Sequence, residues 1–410
     1  MTDAAGGGPG ARRGAPLVFG AGLAQGLVLV CFPAAASVLT SPAGYALSAT
    51  QYGFMFAPQV VLAIAGAALT PVLARRWSLR GVLGLGLAAN LAAMLLMVAS
   101  LGVAPSALAY VLLLAATGCL GVGFGTCVSS LSQFAAALKA GAENRNVLVL
   151  NVMLGLGTAL APVLVALLLP DWWILPLLVS AGLVVLLVAT ARVRLDPGAP
   201  APAAGAAAPR PRLPRRFWWY VAAVVLYGVC ETLFGNWSTL YLSGERQLPT
   251  AVASAALAAF WACVTLGRVI VAILPARIPV PAVYVVLPFL IAGASLAVAS
   301  ASTSVAAVLA YAAAGLACSA MLPLSVSFGE REFARWGSTS SGELIAGYQV
   351  GYGIAAFGAA PLLAATGLPL GAVYVVGAIA ALALAVTALT ISRGRALRAA
   401  PFLTTGTKES

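Results

Sequence analysis

The chain has 410 residues, 62% of them hydrophobic and 8% charged, and carries a net charge of +12. Soluble domains hold about 25% charged residues, so this chain cannot cover a water-facing surface of ordinary size, and a soluble globular fold is excluded. Its basic residues stand singly or in pairs between apolar runs, which excludes a nucleic-acid patch with interleaved aromatics, and it has no histidine, the commonest metal ligand and general base.

A helix needs about 20 mostly apolar residues to cross a bilayer core of roughly 30 Å. Twelve runs meet that length: 16–39, 52–74, 80–101, 106–137, 146–169, 173–192, 217–242, 250–274, 280–300, 304–328, 340–365 and 370–391. They predict an all-α polytopic membrane protein. The breaks fall at Pro, Gly or charged residues, as in "LTSPAGYALS", "ARRWSLR", "KAGAENRN" and "GEREFARWG". The fourth run is longer than one crossing needs and is expected to tilt or to extend past the headgroups. The first run has the basic start and small-residue end of a signal peptide.

Lysine and arginine bias sets orientation. With both termini in the cytoplasm, alternation through twelve spans puts 21 of the 22 basic residues inside, and only Arg246 outside. One missed or extra span would misplace every later loop, so this supports an even count and an uncleaved first span. The Pro/Ala-rich segment 193–216 reads as a flexible cytoplasmic linker. It divides an N-terminal six-helix bundle, 1–192, from a C-terminal bundle with a short tail, 217–410. The halves resemble each other faintly: Gly118 with Gly315, Phe134 with Phe328 and Gly155 with Gly351 share an offset near 196 residues. Two matched halves are the plan of a transporter that rocks one bundle against the other. All six cysteines lie in apolar runs with no C-x-x-C pair, and read as small core residues.

In these features the chain resembles the major facilitator superfamily over roughly 15–392. The six-plus-six plan, the G-x-G-x-G at Gly121, Gly123 and Gly125, and the loop "LTPVLARRWSLR" carry the resemblance. In that loop the family's leading glycine falls on Thr70 and its acidic residue on Ala74. "TLGRVIVAILPARIP" looks like the second-half counterpart, with Gly267 and Arg268 at its start. "YGVCETLFGNWSTLYL" is similar to span seven of the fucose permease group of proton-coupled sugar symporters, through Glu231, Asn236, Trp237, Tyr241 and Leu242. That group is expected to use first-half acids, yet spans one to six hold none, with Glu143 and Asp171 in loops. The resemblance implies twelve helices in two pseudo-symmetric bundles around a central site.

Glu231 lies fourteen residues into span seven, roughly 21 Å at 1.5 Å per residue. A charge at that depth costs about 2.5–3.5 kcal/mol on insertion scales, so the residue should face the protein interior. Tyr227, Gly228, Phe234, Gly235 and Ser238 share its face, whereas Asn236 and Trp237 point elsewhere. The expected substrate-binding or proton-coupling set is Glu231, Asn236, Trp237, Gln25, Asn151, Tyr348, Gln349 and Tyr352. Amides and aromatics at depth suit a neutral polar solute. Gln59, Asn90 and Trp261 are further polar groups at depth. Arg268, near the cytoplasmic end of span eight, is expected to pair with Glu343, Glu330 or Glu332 as a cytoplasmic gate, together with Arg75.

The expected function is secondary active transport of a small polar solute, proton-coupled, in the cytoplasmic (inner) membrane. No cofactor, metal or catalytic residue is expected, and the chain is expected to act as a monomer. An exporter of a drug or metabolite is the alternative within the same fold. The alternatives of another class are a structural or receptor-like membrane protein and a polytopic membrane enzyme; the enzyme would need clustered acids or histidines, and "GEREFAR" lacks metal-ligand spacing. No "GxxxxGK[ST]" loop for ATP is present.

Overall fold

A computed structural model of the chain describes residues 9–139, 143–193, 195, 214–272, 279–333 and 338–399. Among these residues the chain is helical, and its helices make twelve crossings. Span one is Pro9–Ala34. Spans two and three form one run, Ala57–Leu101, broken at Ser78, where φ is 69° and ψ 156°. A positive φ is unfavourable for a residue with a Cβ. Ser78 offsets this by capping span three, since the Gly81 N–H donates to Ser78 Oγ at 3.2 Å. The break falls inside "ARRWSLR", where the sequence put it.

Span four is Ala107–Ala137, span five Glu143–Leu167 and span six Ile174–Arg192. Glu143 thus opens a helix rather than sitting in a loop. Span seven is Phe217–Thr239, continued by a π-helical turn, Leu240–Glu245. Spans eight and nine are Thr250–Ala272 and Val280–Ser300. Span ten is two pieces, Ser304–Cys318 and Met321–Glu332, and spans eleven and twelve are Ser338–Thr366 and Ala372–Ala399. Most of the linker falls outside the described residues.

The two halves repeat one packing scheme. Span one packs on five, the run of two and three on four, and three on six. Seven packs on eleven, eight on ten, and nine on twelve. Glycines set the closest crossings. A Cβ at Gly26 would meet the Leu154 carbonyl at 2.0 Å, and one at Gly157 the Leu23 carbonyl at 2.2 Å. In the second half a Cβ at Gly228 would meet the Tyr348 carbonyl at 2.4 Å, and one at Gly351 the Val225 carbonyl at 2.0 Å. Only glycine lets these backbones touch. The counterpart of Gly351 is therefore Gly157, not Gly155, which faces Thr265 of span eight.

The G-x-G-x-G of span four has a similar basis. Gly121 and Gly125 face the backbone of span two at Gln59 and Ala63, and Gly123 faces the Asn90 side chain of span three. Outward, large apolar side chains such as Val61, Leu178, Val185, Leu290 and Ile379 are exposed. In a bilayer these are solvated by lipid. Trp77, Trp218 and Trp219 are exposed near the end of the bundle that carries the termini, as expected for aromatic rings at headgroup level.

Candidate functional site

Glu231 is 4% exposed, halfway along span seven. Tyr227, one turn earlier, donates its hydroxyl to Glu231 Oε1 at 2.6 Å, and Tyr348 of span eleven donates to Oε2 at 2.6 Å. Short bonds from O–H groups to an ionised carboxylate are among the stronger hydrogen bonds, and they replace the water that burial removes. The Gly228–Gly351 crossing brings Tyr348 this close. Tyr348 and Tyr352 lie one turn apart, and Asn236 Nδ2 donates to the Tyr352 hydroxyl at 2.9 Å.

Glu231, Asn236, Tyr348, Gln349 and Tyr352 line one cavity between the halves. Gln59, Phe124 and the end of span one at Leu29, Val30 and Pro33 line it from the first half, and Trp261 of span eight lines it from the second. Its volume is about 40 Å³, counted as space open to the centre of a water. A water needs roughly 10–15 Å³ on that measure, so a monosaccharide does not fit until the walls move apart.

Asn236 is in the cavity, contrary to the expectation that it points away from Glu231, because the walls close round span seven from both sides. Trp237 is not in the cavity wall. It is fully buried, its Nε1–H donates to the Ala355 carbonyl at 3.0 Å, and its ring meets Tyr52 edge-on at 5.6 Å. Gln25 is also elsewhere: its Oε1 accepts from Asn90 Nδ2 at 2.7 Å, tying span one to span three. Asn151 is exposed and donates to the Val147 carbonyl of its own helix at 2.9 Å.

Among the described residues, no ion pair joins Arg268 to Glu332 or Glu343 in this conformer. Arg268 Nε donates to the Ser319 carbonyl at 3.2 Å. Pro323, four residues after Ser319, has no N–H to offer that carbonyl, and the arginine takes its place. Arg268 also lies close enough to act electrostatically on Tyr227 and Tyr348. Glu332 instead pairs with Arg216 and accepts from the Tyr220 hydroxyl at 2.7 Å. Glu343 and Arg75 are exposed. In the "ARRWSLR" loop it is Arg80 that is engaged, donating to the Thr190 and Ala191 carbonyls at the end of span six.

Contacts that the sequence did not reveal join the halves at the end away from the termini. The Tyr52 hydroxyl donates to the Asn236 carbonyl at 2.7 Å, and Thr239 Oγ1 to the Pro33 carbonyl at 2.9 Å. Both carbonyls are spared by their helices. Pro33 is in the last turn of span one, where carbonyls lack an intrahelical partner. At the start of the π turn the Leu240 N–H bonds to Trp237, which leaves the Asn236 carbonyl to Tyr52. Phe54 and Phe357 add a ring contact at 6.0 Å.

Residues 15–355 match the family model described as Major Facilitator Superfamily. No curated protein matches the sequence. Among solved structures, the chain is similar to nucleoside transporter NupG, with a TM-score of 0.73 at 12% identity, covering 92% of this chain and 99% of that one. It is similar to the E. coli fucose:proton symporter FucP, TM-score 0.59 at 14% identity, covering 93% and 98%. A bacterial homologue of the human lysosomal transporter Spinster matches with TM-score 0.67 at 13% identity, covering 99% and 100%.

Proposed function

The chain belongs to the major facilitator superfamily, and from that premise we propose that it is a secondary active transporter of a small polar solute, coupled to protons through Glu231. The observation that carries the proposal is the buried carboxylate held by two tyrosine hydroxyls on the wall of a cavity between the halves. The ionised carboxylate only accepts hydrogen bonds. A proton taken up on Oε2 gives that oxygen a hydrogen to donate and leaves it a weaker, uncharged acceptor, so the bond from Tyr348 weakens or re-forms with its hydroxyl reversed. Tyr348 is on span eleven, which meets Trp237 two turns further on at Ala355. Proton uptake thus acts on the helix that helps hold the halves together. Tyr227, Tyr348, Tyr352, Cys318 and Arg268 are the ionisable groups around this carboxylate.

That a fucose:proton symporter and a nucleoside transporter share the fold is consistent with a polar solute. The basic-residue bias supports placing both termini and the 193–216 connector in the cytoplasm, with bundles at 1–192 and 217–410, in the inner membrane. The end joined by Tyr52 and Thr239 is then the outer one. A monomer is proposed.

The test is transport in proteoliposomes of a solute found by thermal-shift screening. Glu231→Gln should lose gradient-driven accumulation at least tenfold while retaining downhill counterflow. Accumulation at the wild-type rate at every pH in that variant would end the proton role. Solute extrusion driven by an inward proton gradient would reassign the direction.

A further inference from the structure

Among the described residues, two polar atoms at the cavity have no partner: Gln59 Oε1, from span two, and Trp261 Nε1, from span eight. Gln59 is 3% exposed. A buried polar atom without a hydrogen bond is destabilising, and most native ones are paired. Both residues are also held firmly. A Cβ at Gly121 would lie 2.4 Å from the Gln59 carbonyl, so glycine there lets span four press the Gln59 backbone inward. A Cβ at Gly235 would lie 2.9 Å from Trp261 Cζ2, so glycine there lets the indole lie against span seven one turn from Glu231. Phe260 meets the indole edge-on at 5.0 Å. Turning the Gln59 amide end for end changes which of its atoms is left over, not that one is.

No lysine or arginine lines the cavity, and each oxygen of its one carboxylate already accepts from a tyrosine. An anionic solute meets no cationic side chain in the cavity wall, and a cationic one must compete with two short hydrogen bonds.

Resting on the transport reading above, we propose that Gln59 and Trp261 are direct hydrogen-bonding partners of the solute, one from each half, and that the solute is uncharged with both donor and acceptor groups. A molecule bonded to both spans the interface, so its binding draws the halves together around it. Glu231 is left to the proton.

The test uses the purified full-length protein and four probes: uridine and fucose as neutral solutes, putrescine as a cation and glucose 6-phosphate as an anion. A neutral probe should raise Tm, and the charged probes should not. Trp261→Phe removes an unpaired buried polar atom, so Tm without probe should stay level or rise; Gln59→Met removes another together with the amide's bond to Tyr352, so its Tm should change little. The Kd of the neutral probe should weaken about tenfold in each, the scale of one hydrogen bond. Residues serving only the fold would show the reverse: a lower Tm and an unchanged Kd. That result overturns the proposal, as does stabilisation by a charged probe alone or by none of the four. Uptake of the same probe separates this inference from the one beneath it. A probe whose Kd responds to both variants but which is never translocated sinks the transporter and leaves the pair. A translocated probe whose Kd ignores both variants sinks the pair and leaves the transporter.

Discussion

At the scale of single residues, Glu231 illustrates how a charge is kept at bilayer depth. Two tyrosine hydroxyls at 2.6 Å bond it in place of the water that burial removes. Tyr348→Phe removes one of them with almost no change in volume. A hydrogen bond to a charged group is worth about 1.5–3 kcal/mol, so gradient-driven accumulation should fall about tenfold or more. Accumulation unchanged in Tyr348→Phe would show that the bond plays no part in coupling.

At the scale of elements, the glycine crossings decide where side chains can meet. Gly228 is the contact that lets span eleven bring Tyr348 and Tyr352 to the cavity. A methyl group there would overlap the Tyr348 carbonyl at 2.4 Å and the Tyr352 nitrogen at 3.0 Å. Backbone cannot yield as a flexible side chain does, so Gly228→Ala should force the two helices apart. Overpacking of this kind costs about 1–3 kcal/mol, read as a lower Tm in detergent, and accumulation should fall with it. Gly293 is the control: it sits mid-helix in span nine, and a methyl group added there would find nothing within 4 Å. Gly293→Ala should leave Tm level or slightly higher, because alanine favours the helix.

At the scale of the whole molecule, the question is which end opens. Tyr52, Thr239 and the Phe54–Phe357 contact join the halves at one end, while Arg75 and Glu343 are exposed at the other. In Phe54→Cys/Phe357→Cys, oxidation should form a cross-link and stop uptake, and reductant should restore it. Continued uptake by cross-linked protein would mean that these contacts need not break during transport. Labelling of a cysteine introduced within 193–216 checks orientation, since reaction only from the outer face would invert the assignment of ends.

Lipid as solvent, the twelve crossings and the break at "ARRWSLR" were legible in the sequence, because run length and breaker residues are local properties that a bilayer enforces one helix at a time. Glu231 was legible for the same reason: a lone acid at depth must face inward. Rotation and crossing were not, because they depend on which backbone meets which glycine. Only the tertiary structure therefore removed Trp237, Gln25 and Asn151 from the cavity, brought in Gln59 and Trp261, and gave Arg268 to the carbonyl that Pro323 leaves unbonded. It also exposed the Tyr52 contact, whose acceptor is a main-chain oxygen freed by a change of helical pitch and carries no residue-type signature.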